Sequence, residues 1–120
     1  ALGFLFAPLA WLMGIEWADC RPAGELLGLR MVANEVVAYE RFGEMLSAAS
    51  PEHLSERSQT IVTYALCGFA NLGAIGIQIG GISTIAPDRR ADLARFGIRA
   101  MLGGTLACMM TACIAGVLIA

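Results

Sequence analysis

Lysine is absent from this sequence and histidine occurs once. All eight basic residues are arginines, set against ten acidic residues for a net charge of −2, with a pI near 5.2. Such a chain has no basic field to hold a polyanion, which excludes a nucleic-acid partner. Charge of either sign is scarce. Charged residues make up 15% of the chain and hydrophobic ones 58%, where a soluble domain carries about 25% and roughly 45–50%. Mean hydropathy is +0.69, which argues against a disordered segment. Cys20, Cys67, Cys108 and Cys113 form no C-x-x-C, and three lie in apolar stretches. They read as small hydrophobic residues in helices rather than as a disulfide scaffold. His53 has no second histidine with which to share a metal, so no zinc or haem site is expected. There is no nucleophile–base pair, Walker sequence or paired-carboxylate spacing, and the chain is read as a non-enzyme. What is present is apolar sequence on the scale of a bilayer.

The chain is read as an all-α membrane protein in four parts. Residues 1–43 are expected to form a re-entrant helical hairpin. Ala1 to Ile15 carries no charge but is shorter than the roughly 20 residues a spanning helix needs. Pro8 is expected to bend or interrupt it, and Gly14 to support a turn. A second helix is expected from Ala23 to about Gly43, started by Arg21-Pro22. Its Glu25, Arg30, Asn34, Glu35, Glu40 and Arg41 are too polar for lipid and must face protein or a wet cavity. Residues 44–57 read as a polar linker with a turn at Ser50-Pro51.

Residues 58–87 carry no charge but are interrupted by Gly68, Gly73, Gly76, Gly80 and Gly81, with Asn71 among them. Two readings stand: close helix packing through Gly76 and Gly80, or a discontinuous transmembrane helix unwound near Gly68–Gly73 so that backbone and Asn71 meet a ligand. Residues 88–120 read as a basic turn, with Arg89, Arg90, Arg95 and Arg99 against Asp88 and Asp92, followed by a final transmembrane helix. The positive-inside rule makes that turn cytoplasmic. A secretory signal peptide is not expected, since no basic region leads an apolar run and no A-x-A pattern follows one. Because the apolar run at Ala1 starts as if already in progress, the chain is expected to be the C-terminal part of a longer protein.

Glu35 stands among Met31, Val32, Ala33, Val36, Val37 and Ala38. A carboxylate in that setting is costly unless paired or wetted, so it marks a functional site by default, the alternative being a structural ion pair with an arginine. Its two acceptor oxygens suit a ligand with adjacent hydroxyls. Asn71 offers donors and acceptors for a ligand or for unwound backbone. Phe69 could stack on a flat ligand or simply pack. Thr63 and Gln78 read as interhelical hydrogen-bond partners, and Arg30 as a residue that snorkels or balances an acid.

The stretch Gly28-Leu-Arg-Met-Val-Ala-Asn34-Glu35-Val-Val-Ala-Tyr39 resembles the signature of concentrative nucleoside transporters. Ile61-Val-Thr-Tyr-Ala-Leu-Cys-Gly-Phe-Ala-Asn71, followed by Ile75-Gly-Ile-Gln-Ile-Gly-Gly81, resembles the family's next segment. Phe6-Ala-Pro8-Leu-Ala-Trp11-Leu-Met-Gly14 resembles the preceding hairpin arm. The resemblance covers nearly the whole chain. It implies a sodium- or proton-coupled nucleoside importer, multi-pass in the plasma membrane (a bacterial inner membrane), usually a homotrimer. It implies no bound cofactor here, with the coupling-ion site and the base-reading residues upstream of this chain. It also implies substrate contacts from Glu35 and Asn71 to the ribose hydroxyls, with Phe69 close to the nucleoside and Asn34 beside Glu35 in the motif. Two departures matter. The family lysine is Arg30, which keeps the charge and changes the geometry. The family's usual Ser-Ser pair is Gly73-Ala74, and Ala74 cannot make the ribose contact implied for the second serine.

Two other readings compete. A small multidrug-type proton antiporter fits the length and the single membrane glutamate, although its glutamate would lie in the first helix. A non-transport membrane assembly subunit would use the glycines and Asn71 for packing alone.

Overall fold

A computed structural model describes residues 1–47 and 50–119 of the chain. Among them are six α-helices: α1 (Leu2–Leu12), α2 (Cys20–Val32), α3 (Glu35–Met45), α4 (Glu56–Leu66), α5 (Leu72–Ile85) and α6 (Arg90–Leu118). Short 3-10 turns at Trp17–Asp19 and Pro87–Arg89 lead into α2 and α6. The fold is all-α, and no strand occurs among the described residues. Positions 48–49 of the expected linker and position 120 of the expected last span lie outside the described residues.

The helix expected over 23–43 is two helices. It stops after Val32 and restarts at Glu35, with Ala33 and Asn34 between. The reason is local: Asn34 is extended and its side chain accepts from Val37 N. Asparagine is among the best N-caps, and Glu35 follows it in the first turn, where the helix dipole favours an acid. The chain reverses at this point, because Arg41 on α3 reaches Glu25 on α2 at 3.4 Å. The chain therefore reverses twice, through the turn at Gly14 that lays α1 on α2 and again at Ala33–Asn34 between α2 and α3. Gly14 does make a turn, with φ of +88°, a conformation that glycine adopts without strain. Pro8 does not interrupt α1, which runs through it with one backbone donor missing.

Glycine sets how closely α1 crosses α2. A Cβ on Gly24 would stand 2.6 Å from the Gly3 carbonyl oxygen and 2.8 Å from Ala7 N. Behind this crossing, Ala10, Ile15, Leu26, Leu27, Ala38, Met45, Leu54, Ile61, Val62 and Leu66 form the buried core. Asp19, itself buried, accepts from both Ser55 N (3.1 Å) and Ser55 Oγ (2.8 Å). Ser55 is in turn the N-cap of α4, so the start of α4 is tied to the turn before α2.

The uncharged stretch from 58 is divided between α4 and α5, with residues 67–71 non-helical. Nothing lies within 4 Å of a Cβ placed on Gly76, Gly80 or Gly81, so among the described residues these glycines seat no neighbouring helix. α6 has 29 residues and extends about 44 Å at ~1.5 Å per residue, against the roughly 30 Å of a bilayer core. Pro87–Leu118 is, among the described residues, the one helical stretch long and apolar enough to cross a membrane. Leu102, Leu106, Met110 and Ile114 are exposed at four-residue spacing, which places an apolar stripe along its outer face. Its first turns carry Arg89, Arg90, Arg95 and Arg99, all exposed.

Candidate functional site

Two helix starts meet at the break. α3 begins at Asn34, whose Oδ1 accepts from Val37 N at 2.9 Å. α5 begins at Asn71, whose Oδ1 accepts from Ala74 N at 2.8 Å. Each asparagine satisfies one of the backbone donors that a helix start leaves unpaired. The starts are linked directly, since Asn71 Nδ2 donates to Glu35 Oε2 at 3.1 Å. Glu35 is half-buried, in the first turn of α3, and not mid-helix as the apolar run around it suggested. It makes no salt bridge among the described residues. Its remaining acceptor capacity is not used by a salt bridge among the described residues and lies beside two positive helix ends.

The structure thus brings Glu35 and Asn71 together. Asn34 stands next to Glu35, with its side-chain oxygen engaged in capping. Phe69 lies on the non-helical segment two residues before Asn71 and is 58% exposed. An apolar groove of about 740 Å³ between α5 and α6 opens at this point, lined by Phe69, Asn71, Ala74, Ile75 and Met101 among others. Asn71 and Phe69 border it, whereas Glu35 and Asn34 do not. Of the Glu35–Asn71 pair, only Asn71 therefore borders the apolar groove.

The other side of the break is paired as well, by partners that sequence spacing does not reveal. A helix leaves its last four carbonyls without intrahelical partners. In α4 these belong to Thr63, Tyr64, Ala65 and Leu66. Tyr39 OH donates to Thr63 O at 2.8 Å, and Arg30 Nη1 donates to Ala65 O at 2.5 Å. Cys67 N and Gly68 N reach Tyr64 O and Leu66 O at 3.3 and 2.7 Å. Arg30 is 1% exposed, so it does not snorkel. It pairs with no acid among the described residues; its second arm, Nη2, donates to Thr105 Oγ1 on α6 at 2.9 Å. The Thr63 hydroxyl bonds Gln59 O within its own helix at 2.8 Å, and not a second helix as expected. Gln78 lies exposed on the groove wall.

The α4 end of the break is thus capped from the hairpin and the α5 end by its own Asn71, and irregular backbone of this kind is tolerated at membrane depth where protein covers it or it lines a cavity. The chain belongs to the family described as Na+ dependent nucleoside transporter C-terminus, which matches residues 1–116. It is 45% identical to solute carrier family 28 member 3 of Mus musculus, over 96% of this chain and 18% of that protein. It is also 45% identical to the putative nucleoside permease NupX of Escherichia coli (strain K12), over 96% of this chain and 27% of that protein. Among solved structures, CNTnw in an inward-facing substrate-bound state superposes with a TM-score of 0.92 at 48% identity, over 96% of this chain and 28% of that one. The chain therefore spans between 18% and 28% of the length of these proteins.

Proposed function

We propose that this segment supplies the sugar-binding part of a cation-coupled nucleoside importer in the plasma membrane (the inner membrane where the host is bacterial). The Glu35–Asn71 hydrogen bond between two capped helix starts is the observation that carries this reading, and the family match gives it a substrate class. Glu35 accepts from the ribose hydroxyls, and Asn71 both donates and accepts. Phe69 covers the nucleoside, and Asn34 fixes the start of α3 so that Glu35 points at the sugar. In membrane terms, α2–α3 is a re-entrant hairpin, α4–α5 a broken transmembrane helix and α6 the last span, its arginine-rich start cytoplasmic. Coupling is to sodium, as the family description states for its members, or to protons. The ion site lies on other segments of a homotrimeric transporter. The ion must favour the loaded state, because a ligand shifts an equilibrium only through its differential affinity. The small-antiporter and assembly-subunit readings lose their ground to the family match.

The test is Glu35→Gln in the full-length protein that carries this segment. Uridine or adenosine uptake at matched expression should fall by about tenfold or more, the scale of one charge-assisted hydrogen bond lost. Wild-type uptake by that variant would remove Glu35 from the site.

A further inference from the structure

The break between α4 and α5 has no proline. Residues 67–71 are Cys-Gly-Phe-Ala-Asn, and a single glycine raises the cost of helix without forbidding it. The hydrogen bonds at the end of α4 show what stabilises the stop. In a continuous α-helix, Thr63 O would accept from Cys67 N, and Ala65 O would accept from Phe69 N. Here both carbonyls accept from side chains instead. Tyr39 OH holds the first at 2.8 Å, and Arg30 Nη1 holds the second at 2.5 Å. Cys67 N is diverted to Tyr64 O at 3.3 Å. The two intercepting side chains come from the two arms of the hairpin: Arg30 from α2, four residues before Asn34, and Tyr39 from α3, four residues after Glu35.

We propose that Arg30 and Tyr39 are positioning residues that hold the break open. They supply donors to carbonyls that the end of α4 leaves without helical N–H partners, which stabilises the stop at Leu66 and so keeps Asn71 facing Glu35. This rests on the reading of Glu35 and Asn71 as the sugar site. Each residue added to α4 turns the following chain by about 100° and advances it ~1.5 Å. A gain of one or two residues therefore rotates Asn71 away from Glu35. The hairpin that carries Glu35 is the same element that keeps α4 short, so the two halves of the site are registered to each other.

Arginine suits the position for three reasons. Its guanidinium is a cation at the C-terminal, negative end of α4. Its planar fork reaches two partners at once, Ala65 O and Thr105 Oγ1 (2.9 Å). Its stem and head are buried to 1% exposure without a carboxylate to pull them elsewhere. Nε alone lacks a partner. A lysine can keep the charge at the helix end but cannot present a fixed fork to both.

The experiment measures uridine uptake in the full-length protein at matched surface expression, giving KM and maximal rate separately for Arg30→Met, Arg30→Lys and Tyr39→Phe, with Glu35→Gln in parallel. Arg30→Met should raise KM by roughly tenfold or more, the scale of a lost hydrogen bond from a charged donor, with the maximal rate less affected. Arg30→Lys should recover most of that loss, and Tyr39→Phe should raise KM by about threefold. An Arg30→Met KM within about twofold of wild type overturns the proposal, as does a failure of Arg30→Lys to improve on Arg30→Met. Should Arg30→Met not reach the membrane, Tyr39→Phe decides alone, since it removes one oxygen from a half-buried side chain: a wild-type KM overturns the proposal. Normal behaviour of the Arg30 and Tyr39 variants beside a disabled Glu35→Gln rejects this inference and leaves the site reading intact. A wild-type Glu35→Gln rejects the site reading itself.

Discussion

Asn71→Asp separates the two tasks of one side chain. Asn71 Oδ1 caps α5 through Ala74 N at 2.8 Å, while its Nδ2 donates to Glu35 at 3.1 Å. Aspartate has the same shape, is an equally good N-cap, and places negative charge at a helix N-terminus, where it is favourable. The start of α5 should therefore survive. The Glu35 contact reverses sign, because an oxygen replaces the donor. Two unit charges 3.1 Å apart repel by about 5 kcal/mol at an effective dielectric of 20. Water at this half-open site reduces that figure, and even half of it corresponds to nearly 100-fold in a binding constant.

Uptake by Asn71→Asp should therefore fall well below that of the wild type at matched expression, while the melting temperature of the purified protein stays close to wild type because the cap is kept. Asn71→Ala, which lacks both the cap and the donor, should be low in uptake and also lose about 1 kcal/mol of stability from the cap alone. Wild-type uptake by Asn71→Asp would refute the pairing of Glu35 with Asn71.

Ala74→Ser puts back the hydroxyl that the family resemblance places at this position. Ala74 lines the groove beside Asn71, so nucleoside KM should fall by up to about tenfold, the range of one hydrogen bond, as read by concentration-dependent uptake. Gly24→Ala sets a methyl 2.6 Å from Gly3 O and 2.8 Å from Ala7 N. Backbone cannot yield as a side chain does, and a loss of roughly 1–3 kcal/mol is expected from the forced separation of α1 and α2, visible as a lower melting temperature of the purified protein.

The elements were legible where the signal was local. Gly14 marked a turn and takes a positive φ, and the four arginines before the uncharged run marked the start of α6. Glu35 and Asn71 stood out because polar groups are costly in apolar sequence, and the fold brings them into contact across 36 residues. The break at Ala33–Asn34 was missed because the hydrophobic residues on either side keep a helical rhythm. Only the side-chain oxygen of Asn34, folded back onto Val37 N, ends that rhythm, and Asn-Glu inside an apolar run could have been read as an N-cap followed by a first-turn acid. Arg30 was the hardest to place. A cation in apolar sequence invites a search for an acid, but its partners are a backbone carbonyl and a threonine hydroxyl, separated from it by 35 and 75 residues. Neither carries a charge that a sequence would advertise. The carbonyl loses its helical partner only because α4 stops, and the stop is stabilised because Arg30 and Tyr39 supply donors in place of those its next turn would have given. Cause and partner are created by the same contact, so the pair becomes visible only when both helices are in place.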